Sequence, residues 1–144
     1  MIDRHAVVGS WRVSVQIPGL GGPLTNLARF SADGGVAVAF PSPTPAAPGA
    51  GHALEYWTTA LGEWEATDEH NLRMIFVSLG TDETGAPAGT HTVTATATMD
   101  PTLATWAGPF QIAIADANGK DAGGASGTVS AVRINVPDAL PGQG

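Results

Sequence analysis

The sequence predicts an all-β protein: an eight-stranded antiparallel up-and-down β-barrel with a central ligand cavity. Three observations carry this reading. Apolar and polar residues alternate in short runs along most of the chain. Turn signals rich in Gly, Pro, Asp and Asn separate the runs, and no helical period outlasts a turn or two. A tryptophan early in the first run and an arginine late in the last would meet if the sheet closed on itself. At 144 residues the chain is one domain, large enough to bury a core without staples. Residues 1–8 read as a lead-in and 137–144 as a flexible tail.

The first run, Trp11 to Ile17, sets Trp11, Val13 and Val15 against Arg12, Ser14 and Gln16, and Pro18-Gly19 ends it. A second spans about Leu24 to Ser31. Ala32-Asp33-Gly34-Gly35 then predicts a hairpin into a third, Val36 to Phe40, because Asp-Gly supplies the positive φ that tight hairpins demand. The proline-rich stretch Pro41 to Gly51 lacks donors for a ladder and reads as a mobile loop near the barrel mouth. Further runs follow at about Tyr56 to Thr67, Leu72 to Leu79, Thr90 to Met99 and Thr105 to Asp116, and the last ends at Val136. Ala117-Asn118-Gly119-Lys120 is the strongest hairpin signal of all. With no helical crossover, neighbouring runs should pair antiparallel, and the first should pair with the last.

Composition excludes several functions. Net charge is −7, with six Lys and Arg in all, which would repel phosphate backbones and anionic membranes; neither nucleic acid nor a membrane is an expected partner. There is no cysteine and the N-terminus does not read as a signal peptide, so a cytoplasmic location is expected. His5, His52, His70 and His91 are dispersed, without zinc-ligand spacing, and no metal or cofactor is expected. Gly19 to Gly22 precedes a strand rather than a phosphate-holding helix, and no serine has a recognisable base partner. The wealth of Ala, Gly and Pro beside a single Lys fits a GC-rich coding background.

Gly9-x-Trp11 at the head of the first run, with Arg133 near the end of the last, resembles the lipocalin and wider calycin pattern. The stretches LGEWEAT, IFVSL, GPFQIAIADANGK and GTVSAVRI are similar to those of small bacterial lipocalin-like proteins. The resemblance implies a barrel whose floor is plugged by Trp11 beneath Arg133. Two departures stand out: the usual disulfide is absent, and the long first loop is replaced by IPGLGGP.

Alternation puts Thr90, Thr92, Thr94, Thr96 and Thr98 on the solvent side, and His91, Val93, Ala95, Ala97 and Met99 inside. Small inner side chains leave room for one small ligand, with a wall of Trp57, Trp64, Met74, Phe76, Val93, Ala95, Phe110 and Ile112. The competing expectation is that the larger of these fill the interior completely. His91 is the first candidate for acid–base work, with Glu55 and Tyr56 as supporting groups at the rim; the competing reading is a core histidine held by a hydrogen bond. Glu63 and Glu65 read as surface carboxylates or, less simply, as an acid–base pair. Two function classes follow. One is a binder of a small hydrophobic molecule, such as a lipid, terpenoid or polyketide. The other is a cofactor-independent cyclase, isomerase or lyase that folds an apolar substrate in the same cavity. The apolar rim at Tyr56 and Trp57 also raises the expectation of a homodimer.

Overall fold

A computed structural model describes residues 5–19, 22–46 and 49–137. The strands are β1 (Gly9–Gln16), β2 (Leu24–Phe30), β3 (Gly35–Ala39), β4 (Thr44–Pro45), β5 (Leu54–Trp57), β6 (Ala60–Ala66), β7 (Asn71–Asp82), β8 (Pro87–Met99), β9 (Thr105–Ala115) and β10 (Asp121–Arg133). Every pairing is antiparallel. β4 continues β3, and β5 precedes β6 along the same flank of β7, so the ten segments make eight staves of a closed barrel. Closure is between the ends of the chain: β1 pairs β10, with Trp11 opposite Arg133.

Pro41 to Gly51 is not wholly a loop. Thr44 and Pro45 pair with Glu55 and Leu54, and the Ala46 amide donates to the Ala53 carbonyl at 3.0 Å. Proline is tolerated because β4 ends the strand order and Pro45 takes a position whose N–H would point away from β5.

Trp11 is wholly buried, and the Arg133 guanidinium carbon lies 4.2 Å from the centre of its ring. The indole N–H donates to the Val7 carbonyl at 2.8 Å. Arg133 donates to the carbonyls of Ala6, Val8 (3.2 Å) and Leu103 (3.1 Å), which receive a charge that would otherwise sit unpaired against the core. Two backbone features accommodate this fork. Gly9 has φ +137°, and a Cβ there would stand 3.0 Å from an Arg133 nitrogen. Leu103, although not glycine, adopts φ 62°. The glycine one residue before the tryptophan is therefore the gap through which the arginine reaches the lead-in. Trp106 meets Trp11 and Phe30 edge-on, completing the floor.

From this floor the interior loosens. Along β8 the inward side chains are 3% exposed at Met99, 2% at Ala97, 8% at Ala95 and 9% at Val93, and His91 is only half-buried. Val15, Ile17, Phe40, Phe76, Ile112 and Ile114, toward the same end, are also half-buried. The inner wall thus has the burial gradient of a cup, tightest at the floor and loosest at the far end. Gly62 shows how the wall coils: a Cβ there would lie 1.8 Å from the Ile75 carbonyl oxygen, so only glycine lets β6 press this close to β7.

Trp11→Ala should lower unfolding free energy by about 3–5 kcal/mol in urea titrations. Arg133→Lys keeps the charge but loses the planar fork, and should cost about 1–2 kcal/mol.

Candidate functional site

The open end is organised by a break in the wall. Thr58 and Thr59 interrupt the stave between β5 and β6. Ser78 on β7, 2% exposed, fixes that break by donating its hydroxyl to the Thr58 carbonyl at 2.6 Å, and the Leu79 amide donates to Thr58 Oγ1 at 3.0 Å. Just before the break, the Trp57 amide donates to Ser42 Oγ at 3.2 Å, tying the strand to the proline-rich segment.

Trp57 points inward and lies across Gly80, where a Cβ would come within 2.8 Å of the indole. Its ring stacks on His91, centroids 3.7 Å apart and planes 23° from parallel. His91 is the register partner of Ser78. Neither imidazole nitrogen has a hydrogen-bond partner among the described residues. Burial in this apolar mouth disfavours the charged ring and lowers its pKa below the ordinary 6.5, so at neutral pH His91 presents one donor and one acceptor on a neutral ring.

The other two residues named for acid–base work stand apart from it. Tyr56 lies on the outer face, 42% exposed, because strand alternation turns it outward once Trp57 points in. Glu55 shares the inner side of β5, but its carboxylate lies beside His52, with Glu55 Oε1 3.7 Å from His52 Nε2. The structure therefore brings His91 together with Trp57, not with Tyr56.

Of the named wall residues, Trp57, Phe76 and Ile112 lie in the half-buried open region, whereas Met74, Val93, Ala95 and Phe110 are 5–9% exposed at mid-depth. Trp64 belongs near the floor: its indole donates to the Ser31 carbonyl at 2.9 Å and its ring meets Phe30 edge-on. Glu63 and Glu65 face solvent, and Glu65 pairs with Arg73. Ile17, Phe40, Ser78 and Gly80 also shape the open end, though the sequence reading did not single them out. Phe40 continues the alternation of Val36 and Val38, and an isolated glycine in a strand signals close approach, so both were within reach of sequence reasoning.

A groove of about 780 Å³ crosses β6 to β10. It touches neither β1–β3 nor the inward-facing Phe76, Val93 and Ile112, and its walls include the outward side chains of Glu63, Arg73, Thr94 and Gln111. Four of the named wall residues, the inward-facing Trp64, Met74, Ala95 and Phe110, line it as well. No group of three or more metal-ligating side chains occurs among the described residues, and no helix there is long and apolar enough to cross a membrane.

The His91 environment sets a pH dependence. Between its folded and unfolded pKa values the unfolded chain binds more protons, so this contribution to stability is present above the unfolded value and is lost as pH falls through the folded one. In an NMR titration the His91 ring should show a midpoint below 6.5, and acidification across that interval should destabilise the wild type more steeply than His91→Gln. A midpoint at or above 6.5 would contradict the desolvated placement.

The eight-stranded antiparallel barrel is consistent with a lipocalin-like fold. No family model, curated protein or solved structure matches the chain.

Proposed function

We propose that the protein binds a small hydrophobic molecule, lipid-, terpenoid- or polyketide-like, in the open half of the barrel, with an unsaturated or planar portion against Trp57 and a polar group within reach of His91. The observation that carries this reading is the gradient of exposure along the inner wall, which rises from floor to mouth and ends at a stacked Trp57–His91 pair with an unpartnered imidazole. Apolar burial supplies the affinity, and one neutral donor–acceptor group supplies orientation. Membership of the calycin superfamily belongs to the same proposal and rests on Gly9, Trp11 and Arg133. The acidic charge of −7 favours a neutral apolar ligand over nucleic acid or membrane lipid headgroups, and with the absence of cysteine it fits a cytoplasmic setting.

A second reading, catalysis of a cyclisation, isomerisation or elimination on such a molecule, is favoured by one feature: a histidine kept neutral near pH 7 can accept or donate a proton. His91→Ala separates the two. In an enzyme using proton transfer it should lower turnover by about 10²–10⁴-fold with affinity nearly intact. In a binder it should weaken affinity by about 1–2 kcal/mol, the worth of a lost hydrogen bond.

Native mass spectrometry of protein taken directly from cells should reveal a retained apolar molecule. An uncharged polarity-sensitive dye should bind the emptied protein, and Trp57→Ala or Phe76→Ala should each weaken that binding about tenfold, equivalent to about 1.4 kcal/mol. Dye binding indifferent to both substitutions, with no retained molecule, would defeat the proposal.

A further inference from the structure

The inner wall carries a second polar group without a partner. Strand alternation turns Asn26 inward with Ala28 and Phe30, opposite the inward Val13 on β1. Its side chain is half-buried, and its amide has no hydrogen-bond partner among the described residues. The inward side chains around it, Val13, Ala28 and Val38, are hydrocarbon. An amide in such a place costs desolvation unless something bonds it.

The ladders fix where Asn26 stands. β2 and β8 are separated by three staves on either side, so they face each other across the barrel. Followed through Val13, Ala131 and Trp106, the ladder from Asn26 reaches β8 at Met99. The other way round, the ladder from Phe30 passes Val36, Gly62 and Phe76 and reaches β8 at Val93. Asn26, four residues before Phe30, therefore arrives four residues before Val93, at Gly89. A level ring lies halfway between Gly89 and Met99, at Thr94, which sets Asn26 across from the small inward side chains of Val93 and Ala95. The same stagger makes Phe30 level with Trp106, and those rings do meet. His91 is three residues, about 8 Å, nearer the mouth on that opposite wall.

We propose that Asn26 is a second anchor for the molecule held in the open half of the barrel, and that this molecule is an uncharged compound with two oxygen functions, hydroxyl or carbonyl, one received by Asn26 at mid-depth and the other by His91. The inference rests on the binding reading given above and narrows it. Eight strands about 4.8 Å apart and tilted about 40° enclose a ring about 16 Å across between backbones. With side chains reaching in from both walls and hydrogen bonds of about 3 Å, ligand oxygens on the order of 5–10 Å apart meet both groups. That is the span of an oxygenated ring system. A fatty acid fits poorly, because its carboxylate finds no cation: Arg12, Arg29 and Arg73 point outward, Arg133 is engaged at the floor, and Lys120 is exposed in the turn after β9. Glu55, on the inner side of β5, would repel it.

Naphthalene, β-naphthol and naphthalene-2,6-diol are uncharged planar probes with no, one and two hydroxyls, those of the diol at opposite ends. In fluorescence titrations of the full chain at neutral pH, each hydroxyl should tighten binding about fivefold, the worth of one net hydrogen bond. The hydroxynaphthoate with a carboxylate in place of one hydroxyl should bind more weakly than the diol. Asn26→Leu, close in volume, should bring the diol down to the affinity of β-naphthol while naphthalene binds as before. With His91→Phe added, which keeps a ring against Trp57, all three should bind alike. A wild type that binds the three alike, or prefers the carboxylate, would overturn this inference and leave the binding reading standing. Asn26→Leu weakening all three equally would also overturn it, since the amide would then serve the shape of the wall. A wild type that takes up none of the three overturns it too; if the dye is refused as well, the binding reading fails with it.

Discussion

The contact between Arg133 and Trp11 is where the two ends of the chain become one structure. A barrel removes its free edges only if the first and last strands pair, and here that pairing carries a guanidinium over an indole inside the seam. A partly buried charge is tolerable when its donors are satisfied, and the carbonyls of Ala6, Val8 and Leu103 do this. Those carbonyls come from the lead-in and from the turn between β8 and β9, so one side chain holds three segments distant in sequence. Gly9 and the left-handed Leu103 are backbone consequences of making room for it and aiming acceptors at it.

A floor this dense has a consequence at the other end. Trp11, Phe30, Trp106 and Leu72 fill the narrow base, so the inner face above them is free to carry alanine, valine and glycine without loss of a core. The open half is then shaped by a separate set of residues. Gly80 makes space for Trp57, and Ser78 spends its buried hydroxyl on holding the break that lets Trp57 turn inward. Rigidity at the base and looseness at the mouth are complementary features of one wall.

Strand alternation also divides the chemistry of the two faces. Each residue that enters the cup sends its neighbours outward, so choosing Met74, Phe76 and Ser78 for the inside placed Ile75, Val77 and Leu79 outside. On β8 the outward set is threonine, which water accepts; on β7 it is aliphatic from Ile75 to Leu79, which water does not favour. That difference between adjacent strands is unrelated to the lumen.

By itself the sequence determined the strand pattern, the hairpins at Asp33-Gly34 and Asn118-Gly119, the inward phase of β8, and the meeting of Trp11 with Arg133. All of these follow from period-two alternation and from the conformations that glycine and asparagine allow, which are local properties. Only the tertiary structure decided that Trp57 would stack on His91, that Tyr56 would face away from both, that Trp64 would join the floor, and that Thr44 and Pro45 would form a short ladder. Alternation gives the side of the sheet a residue occupies but not its depth along the barrel axis, and depth is set by the stagger between strands. Stagger arises when the sheet coils and closes, at places such as Gly62 where two backbones come closer than any Cβ permits. It is a property of all eight staves together and is not encoded in any one of them.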